Sequence, residues 1–321
     1  MTGNTKSGMT NTPQPIASRL VADLRPALEG WTDPVAVGIG SDGAIYAAAR
    51  KSKEDPYQDG MFPKSRLEQA TDYLAIRWQN GLIQSVVIRE ETVAASFVQP
   101  VPGGILLVGA RCHWRPEGAE KNAVVVDWSG RELARFTLGD GIQDLRVTRN
   151  GTIWASYFDE GVFGNYGWGQ PGRSPIGAPG LVAFSETGEI RFSYDPEAAH
   201  TDAVCDAYAV NVAGDADVWL YFYTEFPIVR ILEGGYHTWK LGVAGARALA
   251  VRESRVLLFG DYKRRSLSRL IELGKDGAAK VIGERPAIDD QGNSLDGAMA
   301  WGIGGDLFFF KHRRVLIAEG W

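Results

Sequence analysis

Cysteine is nearly missing from this chain of 321 residues: Cys112 and Cys205 are the only two. Neither sits in a CxxC pair or at metal-ligand spacing. A disulfide framework and a thiolate zinc site are excluded, and two reduced thiols in a cytoplasmic protein are expected. Long apolar runs are missing too. No window reaches the ~20 apolar residues of a membrane span, and the opening MTGNTKSGMTNTPQP lacks the apolar core of a signal peptide. There is no excess of basic charge. A net charge of −5 gives no general attraction to nucleic acid or to an anionic membrane, so neither is expected as a partner. The short basic runs DYKRRSLSR and FKHRR lie beside acidic residues and read as solvated strand ends. No GxSxG, HExxH, P-loop or EF-hand pattern occurs. GIGSDG at 38–43 has dinucleotide-loop spacing, but it leads into the strand-like AIYAAAR. It therefore offers no helix N-terminus to a pyrophosphate.

Helical periodicity is scarce as well, and RLEQATDYLAI is the one stretch that suggests an amphipathic helix. What the chain does hold is 39 glycines, 10 tryptophans and short β-branched or aromatic runs between turn signals. That combination points to an all-β sandwich, barrel or propeller. Internal repetition selects among them. The stretch DLRVTRNGTIWASYFDEGV is an apolar strand, an Asn150-Gly151 turn and a second apolar strand, with charges at the far ends. Five other stretches share this form. The second strands of all six begin near Ile45, Ile105, Ile153, Val218, Val256 and Leu307, at intervals of 60, 48, 65, 38 and 51 residues. Propeller blades repeat every ~40–50 residues. Further strand pairs at 122–141 and 180–196 extend the units to four strands. The last unit, ending in RVLIAEGW, is one strand short. IASRLVADLRPAL at 16–28 can supply that strand and remove an open edge. The expected fold is a single six-bladed β-propeller over 14–321, closed by its N-terminal strand, behind a disordered tail at 1–13.

The cadence (I/V)xDL/xVxxxGxIWxxx, clearest at Ile142–Trp154, resembles that of the broad gluconolactonase-like and NHL-type group of six-bladed propellers. The resemblance implies the architecture. Gluconolactonase-like members hold a metal on Glu, Asn and Asp in the funnel, and those ligands have no residue-by-residue match here.

Hairpin geometry locates a site. In each unit the start of strand one and the end of strand two share a face, here called the mouth. Starts at the mouth include Asp33, Asp144, Asp206, Arg247 and Asp296. Ends include Arg111, His113, Asp159, Glu225 and His312. Four Asp and one Arg could ring the mouth, and like charges so placed call for compensation. Arg247, a cationic ligand or a divalent cation such as calcium could provide it. Asp144, Asp206, His113 and Arg247 are the candidate catalytic residues. Asp33, Asp296, Arg111, Asp159, Glu225, His312 and Trp168 are the candidate ligand-binding residues. Trp168 belongs to the Gly- and aromatic-rich loop 161–179, which either covers a ligand or packs on a neighbouring blade.

Two functions follow. The first is a small-molecule enzyme, hydrolase or lyase in type, acting on a polar ligand in the funnel with or without a divalent metal. The alternative is a non-catalytic ligand- or protein-binding scaffold, binding for instance a peptide, in which each Asp accepts backbone N–H bonds.

Overall fold

The computed structural model describes residues 14–32, 34–52, 54–55, 57–58 and 62–321. The chain is all-β, built of four-stranded antiparallel sheets of the propeller kind. Gly151 shows how the hairpins form. Its φ of +88° suits the turn, and Asn150 Oδ1 accepts hydrogen bonds from the Thr148 and Thr152 hydroxyls and from Thr152 N.

The first sheet holds Ala36–Ile39, Ile45–Arg50, Arg66–Gln79 and Leu82–Val93. The second holds Ala95–Val101, Gly104–Gly109, Ala123–Asp127 and Glu132–Phe136. The third holds Ile142–Val147, Ile153–Tyr157, Leu181–Phe184 and Ile190–Ser193. The fourth holds Asp206–Gly214, Asp217–Tyr223, Ile228–Leu232 and Gly235–Trp239. The fifth holds Ala248–Arg252, Arg255–Phe259, Leu267–Leu273 and Ala279–Pro286. In the sixth set Met299–Ile303, Asp306–Lys311 and Arg314–Ala318 are joined by Ser18–Asp23, antiparallel to Arg314–Ala318 with Ser18 opposite Ala318.

Alternation of side chains puts an apolar core on both faces of each sheet. In the third sheet Leu145, Val147 and Ala155 pack on the second, while Trp154, Leu181 and Ala183 pack on the fourth. Similar clusters lie between first and second, fourth and fifth, fifth and sixth, and sixth and first. Each fully buried Leu, Ile or Phe contributes about 1.5–3 kcal/mol.

RLEQATDYLAI is strand, not helix. Tyr73 and Ala75 pack toward the second sheet and Leu74 and Ile76 toward the sixth, so this segment is buried on two opposite faces. A single helical stripe cannot do that, and the long pairing with Leu82–Val93 across Asn80-Gly81 decides the matter. The loop after the first hairpin therefore ends near residue 65. Among the described residues the two α-helices are short, Asp159–Phe163 and Pro196–Ala199. Among the described residues no helix is long and apolar enough to cross a membrane.

Candidate functional site at the mouth face

The axis is blocked between the two faces. Asn211 is fully buried. Its Nδ2 donates to Leu249 O and Gly304 O, both at 2.9 Å, and its Oδ1 accepts Gly304 N at 2.8 Å. Gly302 lies against it so closely that a Cβ would stand 1.5 Å from Leu249 O. Gly38 is pressed in the same way onto Val98 O, at 2.2 Å. On the turn face a depression of about 490 Å³ is lined by Asp42, Arg149, Asp215 and Asp306. Its polar groups are largely tied to one another: Arg149 Nε donates to Ser41 O, and Asp215 accepts Asn150 N.

The mouth is different. Asp206 opens the inner strand of the fourth sheet, half-buried, and its carboxylate makes no hydrogen bond or ion pair among the described residues. Burial, and then the charge of Asp159, push its carboxyl up to about 6. Asp159 begins the short helix that follows the third sheet's second strand, and its Oδ1 accepts only the N–H of Glu160. Beside them the Tyr208 and Tyr262 hydroxyls are 2.7 Å apart. Burial first, then that contact, raises the Tyr208 hydroxyl. Exposed Tyr223, Tyr262 and Phe163 stand around this group.

Asp144 lies deeper. Its Oδ1 stands 2.7 Å from Arg146 Nη1 and accepts Leu145 N. The Asp144 side chain keeps 15% of its surface exposed. Burial works against both charges, raising the carboxyl and lowering the guanidinium. Arg146 Nε and the hydroxyl of Ser156, the residue opposite Asp144 across the strands, are buried with no partner. Asp144 is thus a paired, enclosed group at the floor, and Asp206 is the accessible one.

Arg111 and His113 belong to a wall. Arg111 is buried and forks onto Asp140, Nε and Nη2 each at 2.9 Å, while Nη2 also stands 2.6 Å from Glu160 Oε2. Asp140 accepts Cys112 N as well. The Tyr166 ring covers the Arg111 guanidinium at 4.2 Å and meets His113 edge-on. Burial lowers the His113 imidazole. Trp168 is buried. Its indole N–H donates to Cys112 O at 2.7 Å and its ring meets Trp114. Loop 161–179 is therefore pinned to the exit of the second sheet, and Trp168 is the pin.

The remaining candidates are spread out. Arg247 donates to Ala298 O and Arg265 O, and burial lowers its guanidinium. Asp296 and Glu225 are exposed. His312 is in the tight turn before Arg314–Ala318, in a surface groove with Asp23 and Asp289. Asp33 lies outside the described residues. The structure brings Asp159 and Asp206 together, not a ring of five charges. Among the described residues no three His, Cys, Asp or Glu side chains are grouped to hold a metal ion.

Sequence reasoning missed Asp140, Arg146 and Tyr208 as parts of this face. The i, i+2 spacing of Asp144 and Arg146 on one strand was the available signal, since it puts both on one side.

No family model and no curated protein matches the sequence. The structure is similar to solved propellers. A streptogramin B lyase is 12% identical over 94% of this chain and 96% of its own, with a TM-score of 0.45. A presumed gluconolactonase is 12% identical over 96% of this chain and 93% of its own, with a TM-score of 0.45. The PQQ-bound aldose sugar dehydrogenase of Streptomyces coelicolor is 12% identical over 96% of this chain and 99% of its own, with a TM-score of 0.48.

Proposed function

We propose that residues 14–321 form one six-bladed propeller closed by Ser18–Asp23, and that its mouth carries acid–base chemistry on a small polar molecule, of hydrolase or lyase type. The observation that supports this is Asp206: a half-buried carboxylate with no partner among the described residues, facing Asp159, with its carboxyl near 6. A group so poised accepts a proton above that pH and gives one below it. Asp159 keeps it poised by repulsion, and the Tyr208–Tyr262 hydroxyl pair supplies a second proton donor on the same side. Asp144 and Arg146 form a rigid floor. Cytoplasmic placement is part of the reading, on the strength of two free cysteines.

The test is a turnover screen of small esters, lactones and β-eliminating hydroxy acids with the wild-type protein and Asp206→Asn. The substrate found should be turned over about 10²–10⁴-fold more slowly by the variant. Equal turnover ends the reading. Exposed Phe163, Tyr223, Tyr262 and Met299 favour the scaffold as a second reading, since together they offer a peptide an apolar rim. That reading requires tight peptide capture with no turnover by the wild type.

A further inference from the structure

Arg50 ends the second strand of the first sheet and is 4% exposed. A buried guanidinium is ordinarily paired with a carboxylate. This one is not: among the described residues no carboxylate oxygen lies within ion-pair distance of it. Its one aligned hydrogen bond runs from Nη2 to Glu54 O. The Tyr73 hydroxyl, which donates to Val93 O, lies against it. Two other buried arginines of the mouth face are paired, Arg111 with Asp140 and Glu160 and Arg146 with Asp144.

This guanidinium lines a cavity of about 640 Å³ between the first and second sheets. That is ample for a small organic molecule. Among the described residues the carboxylates nearby are already engaged or solvated. Glu54 is held by Lys64 at 3.0 Å and by Glu68 N at 3.2 Å. Asp55 is exposed and accepts Tyr57 N. Pro34, Val35, Ala94 and Ala95 supply an apolar wall, and Ser96 lies beside it.

We propose that this cavity is an anion-binding site in which Arg50 receives the carboxylate of a small organic acid. One guanidinium matches one carboxylate in charge and in its planar pair of oxygens. A phosphate near −2 would bring a second negative charge into a lining where Glu54 and exposed Asp55 already outweigh Lys64. The apolar wall takes the acid's carbon body. This site is on different sheets from Asp206 and stands whether or not Asp206 moves a proton.

The experiment uses the whole chain with nitrogen-15 in its arginines. The Arg50 Nε–H resonance, identified through its contact with Tyr73, is followed during titration with benzoate, inorganic phosphate and chloride at constant ionic strength. Benzoate should move it saturably and the other two should not. Arg50→Lys, which keeps the charge and loses the fork, should weaken benzoate binding by about tenfold or more. Arg50→Gln should abolish it. Arg50→Gln, which removes the buried charge, should melt no lower than the wild type. A resonance unmoved through about 50 mM benzoate, far above a millimolar affinity, overturns the proposal. So does an equal response to phosphate or chloride, or wild-type binding by Arg50→Gln. If neither variant folds, the wild-type titration alone decides.

Discussion

Asn211 of the fourth sheet and Gly302 of the sixth stand side by side in parallel register, although the fifth sheet lies between them in sequence. The two inner strands meet over Leu249, and one carboxamide bonds to both neighbours.

Gly302→Ala should be among the most damaging single changes in the chain. Its Cβ would fall 1.5 Å from a backbone oxygen, which cannot move without the sheet. A loss above about 3 kcal/mol is expected in urea unfolding. Gly242→Ala is the control. Nothing lies within 4 Å of its Cβ position, so the change should be neutral or slightly stabilising. Similar midpoints for the two variants would show that the inner strands are not in contact.

Asn211→Leu tests the same point chemically. It keeps the volume and removes three hydrogen bonds, leaving buried Leu249 O and Gly304 groups under-satisfied. About 2–4 kcal/mol should be lost, measured as a shift of the denaturant midpoint at constant slope.

Asp206 gives a pH dependence of defined sign. Its folded carboxyl titrates near 6, above the ~3.9 of an unfolded Asp. The folded state therefore binds the proton more tightly. Its contribution to stability is complete below about pH 4 and is lost as pH rises through 6. Asp206→Asn should remove that part of the slope and be more stable than the wild type at pH 8, with a smaller difference at pH 4. Parallel stability profiles for the two proteins would mean that Asp206 is an ordinary solvated carboxylate.

Asp140→Ala strips Arg111 of its bidentate partner inside the protein. About 3–5 kcal/mol should be lost. The indole of Trp168, tied to Cys112 O beside that pair, should become solvent-exposed, with a red-shifted emission. Unchanged emission with unchanged melting would remove the wall from the account.

Truncation addresses ring closure. Removing residues 1–13 should leave the melting temperature nearly unchanged. Removing 1–25 takes away the whole strand paired with Arg314–Ala318, and with it buried Leu24. It should lower the melting temperature by many degrees. Equal effects would disprove closure by this strand.

The hairpins were legible because a strand's alternation and its turn residues are local. Asn150-Gly151 and Ser129-Gly130 announce themselves, and Ile45, Ile105, Ile153, Val218, Val256 and Leu307 mark second strands to within a residue. The stretch 66–76 was misread because its apolar residues serve two sheets, and a strand buried on both faces loses its period. The mouth was legible as a face but not as a site. Which Asp is paired depends on neighbours distant in sequence or on side-chain direction. Asp140 and Arg111 meet across 29 positions, and Asp144 is neutralised by Arg146 within its own strand. Arg50 is informative through a missing partner, and sequence does not record that.

Ser18 opposite Ala318 also has a meaning in time. A ribosome delivers the first strand of that pair 300 positions before the second. The early strand has no mate until the late one appears, so the sixth sheet cannot form on the nascent chain. Contacts of such long range close slowly. During synthesis the molecule is an arc with two sticky ends, and the segment 18–23 is the one most in need of shelter until its partner emerges.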